Sequence, residues 1–299
     1  MNELLKGVVI PIITPLNEDQ TINIGALTAV AQRCLNSGAN AVFAFGTGGE
    51  GYALNDDQMA EAAGILIKHI PGKLIVGVMQ PSTNVAVRFI NLASAAGARV
   101  FAAVPPYYMD DIKQEHVIDH FTEIAKYAER FVIYNIPGTT GINILPETVL
   151  EIKNKCRNCI GIKNSGADLN QLKTLINMVQ DSGFSVMQGN CSFAVEGLRL
   201  GARGIIPVVG NIFPDVYVNL YNAVMENQNV NDLLELCRRV ERIEEFEAGW
   251  MASIKAAMNA IGVFAGIPAL PYRPADESQV VKITEYIRNQ LGVLMNQNV

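Results

Sequence analysis

One lysine, Lys163, ends the short apolar run 160–162, and a turn follows it directly. A short, β-branched run of this kind is typical of a buried strand. Because burial disfavours the charged ammonium, we expect a free amine that can attack a carbonyl carbon and form a Schiff base. The alternative is structural: Lys163 would then reach the surface or pair with a carboxylate.

A tyrosine, Tyr134, lies near the end of the preceding apolar run, 131–135. If the two strands are neighbours, the phenol of Tyr134 comes within reach of the Lys163 amine. A phenol can donate and accept a proton, which carbinolamine formation and carbon–carbon cleavage both require. The alternative is a core tyrosine whose hydroxyl lies at the rim.

The glycine-rich turn Gly46–Gly51 follows another apolar run. Its backbone N–H groups can cradle a carboxylate, and the Thr47 hydroxyl adds a donor. The turn also fits the G-x-G-x-x-G pattern of dinucleotide binding. However, the next helix is predicted only from about Asn55, and Gln80 rather than an acidic residue follows the next strand. We therefore favour carboxylate binding over nucleotide binding, and we expect Glu50 to be a structural hydrogen-bond acceptor.

Strand-like and helix-like segments alternate through the first two thirds of the chain. Near-continuous apolar strands separated by helices predict a parallel sheet that is covered on its outer face. Eight such units indicate a (β/α)8 TIM barrel. The predicted strands are 8–13, 41–45, 74–78, 100–104, 131–135, 160–163, 184–187 and 204–208. The predicted helices include 24–36, 56–69, 84–96, 114–129, one from 146, 169–179 and 192–200.

The last part of the chain is predicted to be helical only. We expect the barrel to span residues 1–214 and a C-terminal helical segment, residues 215–299, to pack on it. The most membrane-like stretch is 248–270, but Lys255 and Asn259 interrupt it. We interpret it as a buried or subunit-facing helix rather than a membrane span.

Composition excludes several classes of function. The 299 residues carry a net charge of −6, and the lysines and arginines form no block, which argues against nucleic acids and anionic membranes as partners. Five scattered cysteines suit a reducing, cytoplasmic setting. Cys156 and Cys159 form a C-x-x-C, but no second pair completes a zinc site. We predict no metal and no other cofactor.

The C-terminal ends of barrel strands are where such folds place their functional groups. Here those ends carry one lysine, tyrosines, glycines, hydroxyls and amides, a set that favours a pocket for a small polar molecule around an amine. Ser165 can cap the following helix or contact substrate, and the cap is the favoured alternative. The candidate residues at the strand ends are Thr47, Gly48, Tyr108, Tyr134, Lys163, Gly189 and Val208.

These motifs together resemble the N-acetylneuraminate lyase / dihydrodipicolinate synthase family of class I, Schiff-base (β/α)8 enzymes. The similarity spans nearly the whole chain. The turn 46–50 resembles the family's G-[TS]-[TSN]-G-E, residues 134–137 match its Y-N-x-P, and residues 161–163 match its G-[IVM]-K. The resemblance implies Lys163 as the Schiff-base lysine and Tyr134 as the proton-transferring phenol. It also implies that Thr47 and Gly48 bind the carboxylate of pyruvate or another 2-oxo acid, and that the enzyme is a homotetramer.

Several positions depart from the best-known members. Thr139 stands where the synthases carry an arginine for the aldehyde substrate's carboxylate, and Gly48 stands where they carry a second turn threonine, which we expect to break a hydroxyl relay. The loop after Gly189 lacks the Asp-Glu pair of the sialic acid lyases, and Val208 replaces their serine. Tyr108 matches the tyrosine that a neighbouring subunit contributes in the synthases.

We therefore predict a Schiff-base lyase or aldolase that makes or breaks a carbon–carbon bond of a 2-oxo acid, with pyruvate as product or donor. Two alternatives stay open at this point. The chain could be dihydrodipicolinate synthase itself, or a decarboxylating or dehydrating relative. It could also be a non-catalytic protein that binds a 2-oxo acid on the same fold.

Overall fold

The computed structural model of the chain describes residues 3–179 and 183–295. Eight parallel strands pair in chain order, and the last pairs with the first to close a barrel, which confirms the predicted (β/α)8 fold. The strands are β1 Gly7–Ile10, β2 Ala41–Ala44, β3 Leu74–Val78, β4 Val100–Ala103, β5 Arg130–Asn135, β6 Cys159–Asn164, β7 Ser185–Gln188 and β8 Gly204–Ile205.

Helices separate the strands and continue after the barrel. Within the described residues they are α1 Ile24–Asn36, α2 Asp56–His69, α3 Thr83–Ala95, α4 Gln114–Ile124, α5 Pro137–Thr140, α6 Pro146–Lys155, α7 Leu169–Val179, α8 Ala194–Leu200, α9 Pro214–Met225, α10 Asn231–Glu241, α11 Trp250–Ala260 and α12 Glu277–Met295. Short 3₁₀ turns are formed by Glu3–Leu5, Cys191–Phe193, Val208–Asn211 and Arg242–Glu245.

Three predicted boundaries were wrong by three residues or more. Strand β1 ends at Ile10 rather than at residue 13, and the other two have identifiable reasons. Helix α4 ends at Ile124 rather than at residue 129, and the Asn158 amide donates to the Ala125 and Ala128 carbonyls (2.9 and 2.8 Å) beyond its end. Strand β8 is shorter than predicted, because Pro207 has no N–H to donate and the chain turns into a 3₁₀ helix at Val208.

The core has two layers because each strand is buried on both faces. Alternate side chains point into the barrel or outward against the helices. The inner layer includes Val9, Phe43, Val132, Tyr134 and Met187. The outer layer joins the other strand faces to the apolar faces of the surrounding helices. The Tyr134 side chain therefore lies in the packed barrel interior, and that packing fixes its position.

The C-terminal helices are tied to the barrel in two ways. Helix α9 packs against β1 and α8 and so completes the outer ring, while α11 packs against the 3₁₀ turn after β8. Helix α9 begins at Pro214 and belongs to this ring, so the ring extends past residue 214. The division into a barrel, 1–214, and a C-terminal segment, 215–299, stays a prediction. The predicted buried helix within 248–270 ends at Ala260, and no helix in the described part of the chain is long and apolar enough to cross a membrane.

Candidate active site

Lys163 and Tyr134 meet at the C-terminal ends of β6 and β5, where the two residues are paired in register. The Lys163 Nζ donates a hydrogen bond of 3.0 Å to the Tyr134 Oη. Both side chains are buried, with exposures of 5% and 1%. The structure thus brings together the amine and the phenol that the sequence placed on neighbouring strands.

Aromatic rings form the surroundings of this amine. The Lys163 Nζ lies 4.1 Å from the Tyr134 ring centroid and 5.2 Å from that of Phe43. The Phe43 and Tyr134 rings meet edge to face, with centroids 5.7 Å apart. These contacts hold the Lys163 side chain in one place within the apolar end of the barrel.

The Thr47 hydroxyl lies 3.1 Å from the Tyr134 Oη, so three polar groups form a chain from the glycine turn through the phenol to the amine. We expected Gly48 to break a hydroxyl relay at this turn. That expectation is wrong for the first link, because Thr47 itself supplies the hydroxyl that contacts Tyr134.

The glycine turn is anchored from below by a buried ion pair. Glu50 and Lys255 of α11 contact each other, and both side chains are almost fully buried. The Glu50 Oε1 accepts a hydrogen bond of 2.7 Å from the Ala269 N–H. The Lys255 Nζ also donates to the Thr14 and Ile267 carbonyls, at 2.9 and 2.6 Å. Glu50 is therefore a structural acceptor, as predicted, and it links the turn to the C-terminal segment.

Asn211 fixes the part of the site that is formed by the ends of β1 and β8. Its side-chain amide donates to the Pro11 and Val208 carbonyls, at 2.9 and 2.7 Å, and its oxygen accepts from the Ile13 N–H at 3.0 Å. The ends of β1 and β8 are thereby held together across the barrel closure. This role of Asn211 was not predicted from the sequence.

A cavity of about 390 Å³ opens above the amine. Of the predicted site residues, Thr47, Gly48, Tyr134, Lys163, Ser165, Gly189 and Val208 line it. A Cβ at Gly48 would lie 2.5 Å from the Val208 Cγ2, so the absence of a side chain there lets the turn approach the Val208 wall. Ser165 faces the cavity, whereas Asp168 caps α7 by accepting from the Asn170 and Gln171 N–H groups.

Two predicted residues lie outside this cavity. Thr139 is exposed in α5, and the neighbouring Gly138 lines the cavity instead. Tyr108 is 94% exposed and has a left-handed backbone with φ of 80°, which is uncommon for a residue other than glycine. Within one chain, neither side chain is positioned to contact a molecule held at Lys163.

Sequence reasoning missed one wall of the cavity. It is formed by Glu241 at the end of α10, Glu244 and Glu245 in the next 3₁₀ turn, and Trp250 at the start of α11. These residues lie some 80 positions after Lys163 and belong to no repeated βα unit. The charged run 241–247 could have suggested them, but a run of glutamates usually marks a solvated surface.

This wall of Glu241, Glu244, Glu245 and Trp250, called the acidic wall below, contains two carboxyl groups with raised pKa values. Burial, only partly offset by Arg238 and by Tyr217, raises the pKa of Glu241 to about 7. Burial together with repulsion from Glu241 and Glu245 raises the pKa of Glu244 to about 7. Burial also raises the pKa of the Cys191 thiol. Both carboxyl groups are therefore divided between protonated and ionised forms near neutral pH.

The histidines lie away from the site. His120 is buried between α4 and the barrel, where its Nδ1 lies 2.9 Å from the Thr83 hydroxyl and its Nε2 lies 3.1 Å from the Val104 carbonyl. Burial lowers the pKa of His120 to about 4, so this ring is neutral under ordinary conditions. Its role is to join α3, α4 and β4.

Comparison with protein families gives one match that covers almost the whole chain. A family model described as the dihydrodipicolinate synthetase family matches residues 4–290. A curated relative from Thermotoga sp. (strain RQ2), named 4-hydroxy-tetrahydrodipicolinate synthase, is 30% identical over 96% of this chain and 98% of its own length.

Solved structures agree with this match. Dihydrodipicolinate synthase from Thermotoga maritima has a TM-score of 0.88 and 27% identity, covering 96% of this chain and 99% of that one. The protein YagE from E. coli K12, solved in complex with pyruvate, has a TM-score of 0.89 over 96% of this chain and 99% of its own. Its identity is 22%, so this second likeness concerns the fold alone.

Proposed function

Since the chain belongs to the dihydrodipicolinate synthetase family and is accordingly a class I, lysine-dependent lyase or aldolase that uses pyruvate, we propose that Lys163 is its Schiff-base residue and Tyr134 its proton-transfer group. The observation that carries this proposal is the buried contact of 3.0 Å between the amine and the phenol, inside a cavity that the glycine turn also lines. The turn at Thr47 and Gly48 would bind the carboxylate of the 2-oxo acid.

The reaction follows from these positions. The Lys163 amine attacks the C2 carbonyl, and Tyr134 supplies the proton that allows the carbinolamine to lose water and become an iminium ion. In the cleavage direction, the C4 hydroxyl gives its proton to the Tyr134 phenolate, the C3–C4 bond breaks, and its electron pair enters the iminium to give an enamine and an aldehyde. Protonation at C3 and addition of water then release pyruvate and the free amine. The same steps in reverse join pyruvate to an aldehyde.

Thr47 and Tyr134 have different roles at this centre. The Thr47 hydroxyl orients the phenol, and the phenol lies close enough to both the amine and the turn to move a proton between the reacting oxygen and the nitrogen. Ser165 and Gly189 lie beside Lys163 in the same cavity, and we propose that they contact the reacting part of the substrate.

The proposal is tested by trapping the imine. Incubation with pyruvate and borohydride should add the mass of the reduced adduct to Lys163, as located by peptide mass spectrometry. Lys163→Ala should take up no label, whereas Lys173→Ala, which removes an exposed lysine of α7, should be labelled normally. Labelling of the Lys163→Ala protein to the same extent would refute the mechanism. Release of pyruvate from candidate 2-oxo acids, followed with lactate dehydrogenase, then separates a lyase from a non-catalytic binding protein.

A second candidate is condensation of pyruvate with aspartate semialdehyde, the alternative that the names of the curated relatives favour. Thr139 argues against it, because that exposed hydroxyl replaces the arginine expected to bind the aldehyde's carboxylate. A coupled assay with pyruvate and aspartate semialdehyde decides between the two candidates.

We also propose a homotetramer in the cytoplasm. The exposed ring of Tyr108, together with the exposed Met109, would then enter the site of a neighbouring subunit, and the strained backbone at Tyr108 supports a role there. The five cysteines, all with free thiols, suit a reducing compartment. The subunit contact is tested with Tyr108→Ala. Its sedimentation and its activity are both measured and compared with those of the wild type.

A further inference from the structure

We propose that Glu241, Glu244 and Trp250 recognise the aldehyde half of the substrate, and that this half is an uncharged, polyhydroxylated chain. The substrate would then be a 2-oxo-3-deoxy sugar acid rather than a dicarboxylic acid. This inference rests on the proposed function, because it concerns the part of the cavity beyond the atoms that Lys163 and the glycine turn hold.

The cavity itself provides the first argument. Its volume of about 390 Å³ is larger than a three-carbon acid requires, so part of it remains for the rest of the substrate. Glu241 and Glu244 are three positions apart across the end of α10 and the following 3₁₀ turn, which places both carboxyl groups on one side. The Cys191 thiol lines the same cavity and interacts electrostatically with Lys163 and with both glutamates, so it lies near the amine and near the acidic wall.

The charges provide the second argument. Among the described residues that line the cavity, Lys163 is the only cation, whereas Glu241, Glu244 and Glu245 are potential anions. A carboxylate at the distal end of a substrate would face like charges without an arginine or lysine to bind it, and such juxtaposition is costly. Hydroxyl groups instead donate to carboxylate oxygens, which accept several hydrogen bonds each.

The remaining wall residues suit a hydroxylated chain. Asn190 and Ser192 also line the cavity and carry an amide and a hydroxyl group. The Trp250 indole adds a flat apolar surface against which the C–H groups of such a chain can pack. Together, carboxyls, amide, hydroxyl and indole match the alternating polar and apolar character of a sugar chain.

The protonation state distinguishes a polyol from an ammonium-bearing chain. With pKa values raised to about 7, Glu241 and Glu244 are not fully ionised, although Arg238 and Tyr217 partly offset the burial of Glu241. A hydroxyl can donate to the ionised carboxyl and accept from the protonated one. It therefore binds in both states, whereas an ammonium group requires ionised partners.

The test measures carbon–carbon bond formation between pyruvate and matched aldehydes. D-glyceraldehyde is compared with succinic semialdehyde, which carries a carboxylate, and 3-hydroxypropanal is compared with 3-aminopropanal. We expect kcat/KM for D-glyceraldehyde to exceed that for succinic semialdehyde by at least about 100-fold. In the double variant Glu241→Gln/Glu244→Gln, this ratio should fall at least about tenfold. Glu151→Gln, on an exposed part of α6 where Glu151 pairs with Lys155 at 2.9 Å, is the matched control and should leave the ratio unchanged.

Imine trapping with pyruvate separates the failure of this inference from that of the proposed function. The double variant should be labelled at Lys163 as readily as the wild type, which also shows that it is folded. If trapping succeeds but succinic semialdehyde or 3-aminopropanal reacts as well as its hydroxylated counterpart, or no aldehyde reacts, the substrate assignment is wrong and the Schiff-base chemistry stands. If trapping fails in the wild type, both are wrong.

Discussion

Replacement of Lys255 by methionine should destabilise the protein severely, although Lys255 is not at the reacting centre. Methionine keeps most of the side-chain volume but removes the ammonium. The Glu50 carboxylate would then be buried without its partner, and the Thr14 and Ile267 carbonyls would lose their donor. Breaking a buried ion pair by removing one partner costs about 3–5 kcal/mol. This is a large part of the total free energy of unfolding of an ordinary domain, about 5–15 kcal/mol.

The double variant Lys255→Met/Glu50→Gln isolates the cause of the loss. Glutamine can still accept from the Ala269 N–H, as the Glu50 Oε1 does at 2.7 Å, but it leaves no unpaired charge. Replacing both ends of a buried pair is often nearly neutral, so we expect the double variant to regain at least about half of the lost free energy. Lys282→Met is the control, because Lys282 pairs with Glu247 on the surface at 3.3 Å, and its loss should cost about 1 kcal/mol or less.

Urea unfolding at a fixed protein concentration measures these differences, with the slope against urea used to check that the denatured state is unchanged. Because Glu50 belongs to the glycine turn, the KM for pyruvate should rise in Lys255→Met together with the loss of stability. A loss below about 1 kcal/mol in Lys255→Met would refute the buried ion pair. A double variant as unstable as the single one would show that the unpaired charge is not the cause.

Three further predictions concern the site. Tyr134→Phe should lower kcat about 10²–10⁴-fold without loss of stability greater than about 1 kcal/mol, measured by pyruvate release and urea unfolding, because only the proton-transfer group is removed. Gly48→Ala should raise the KM for pyruvate at least about tenfold, since the new methyl group would lie 2.5 Å from the Val208 Cγ2. Adding Val208→Ala to this variant should bring the KM back towards the wild-type value. Glu241→Gln/Glu244→Gln should be more stable than the wild type at pH 8–9, by on the order of 1–2 kcal/mol after allowance for solvent exposure, and equal to it near pH 4.5.

The sign of the last prediction follows from the raised pKa values. With folded-state pKa values of about 7 against an ordinary 4.5, these carboxyls favour the folded state below pH 4.5, and this contribution is lost as the pH rises through about 7. Urea unfolding from pH 4.5 to 9 measures this change in the free energy of unfolding. Parallel curves of that free energy against pH for the variant and the wild type would contradict the prediction. Undiminished turnover in Tyr134→Phe, or a Gly48→Ala defect that Val208→Ala leaves in place, would contradict the other two.

The reacting centre could be predicted from the sequence because it depends on local pattern and strand order. Eight buried strands with intervening helices specify a closed barrel, and residues at the ends of consecutive strands are neighbours in such a barrel. Tyr134 and Lys163 required no further information. The register that pairs them is set by the same apolar residues that identify the strands.

The far wall of the cavity could not be predicted, because it depends on where non-repeated elements fold back. Glu241 and Trp250 follow the last strand, and no periodic pattern fixes the direction of that segment. Lys255 was noticed only as an interruption of an apolar stretch, because its partner Glu50 lies about 200 positions earlier. Thr139 and Tyr108 were assigned by motif position, and a motif does not show that a side chain points out of its own chain's cavity.

The cavity draws its reacting groups from the strand ends and its acidic wall from the segment after the barrel. These two parts can change independently during evolution, since a substitution in α10 or in the following turn leaves the strand register undisturbed. New enzymes could therefore arise on this scaffold by exchange of residues 241–250 alone. For protein engineering, that short segment is the place to diversify when a different aldehyde is wanted from an unaltered catalyst.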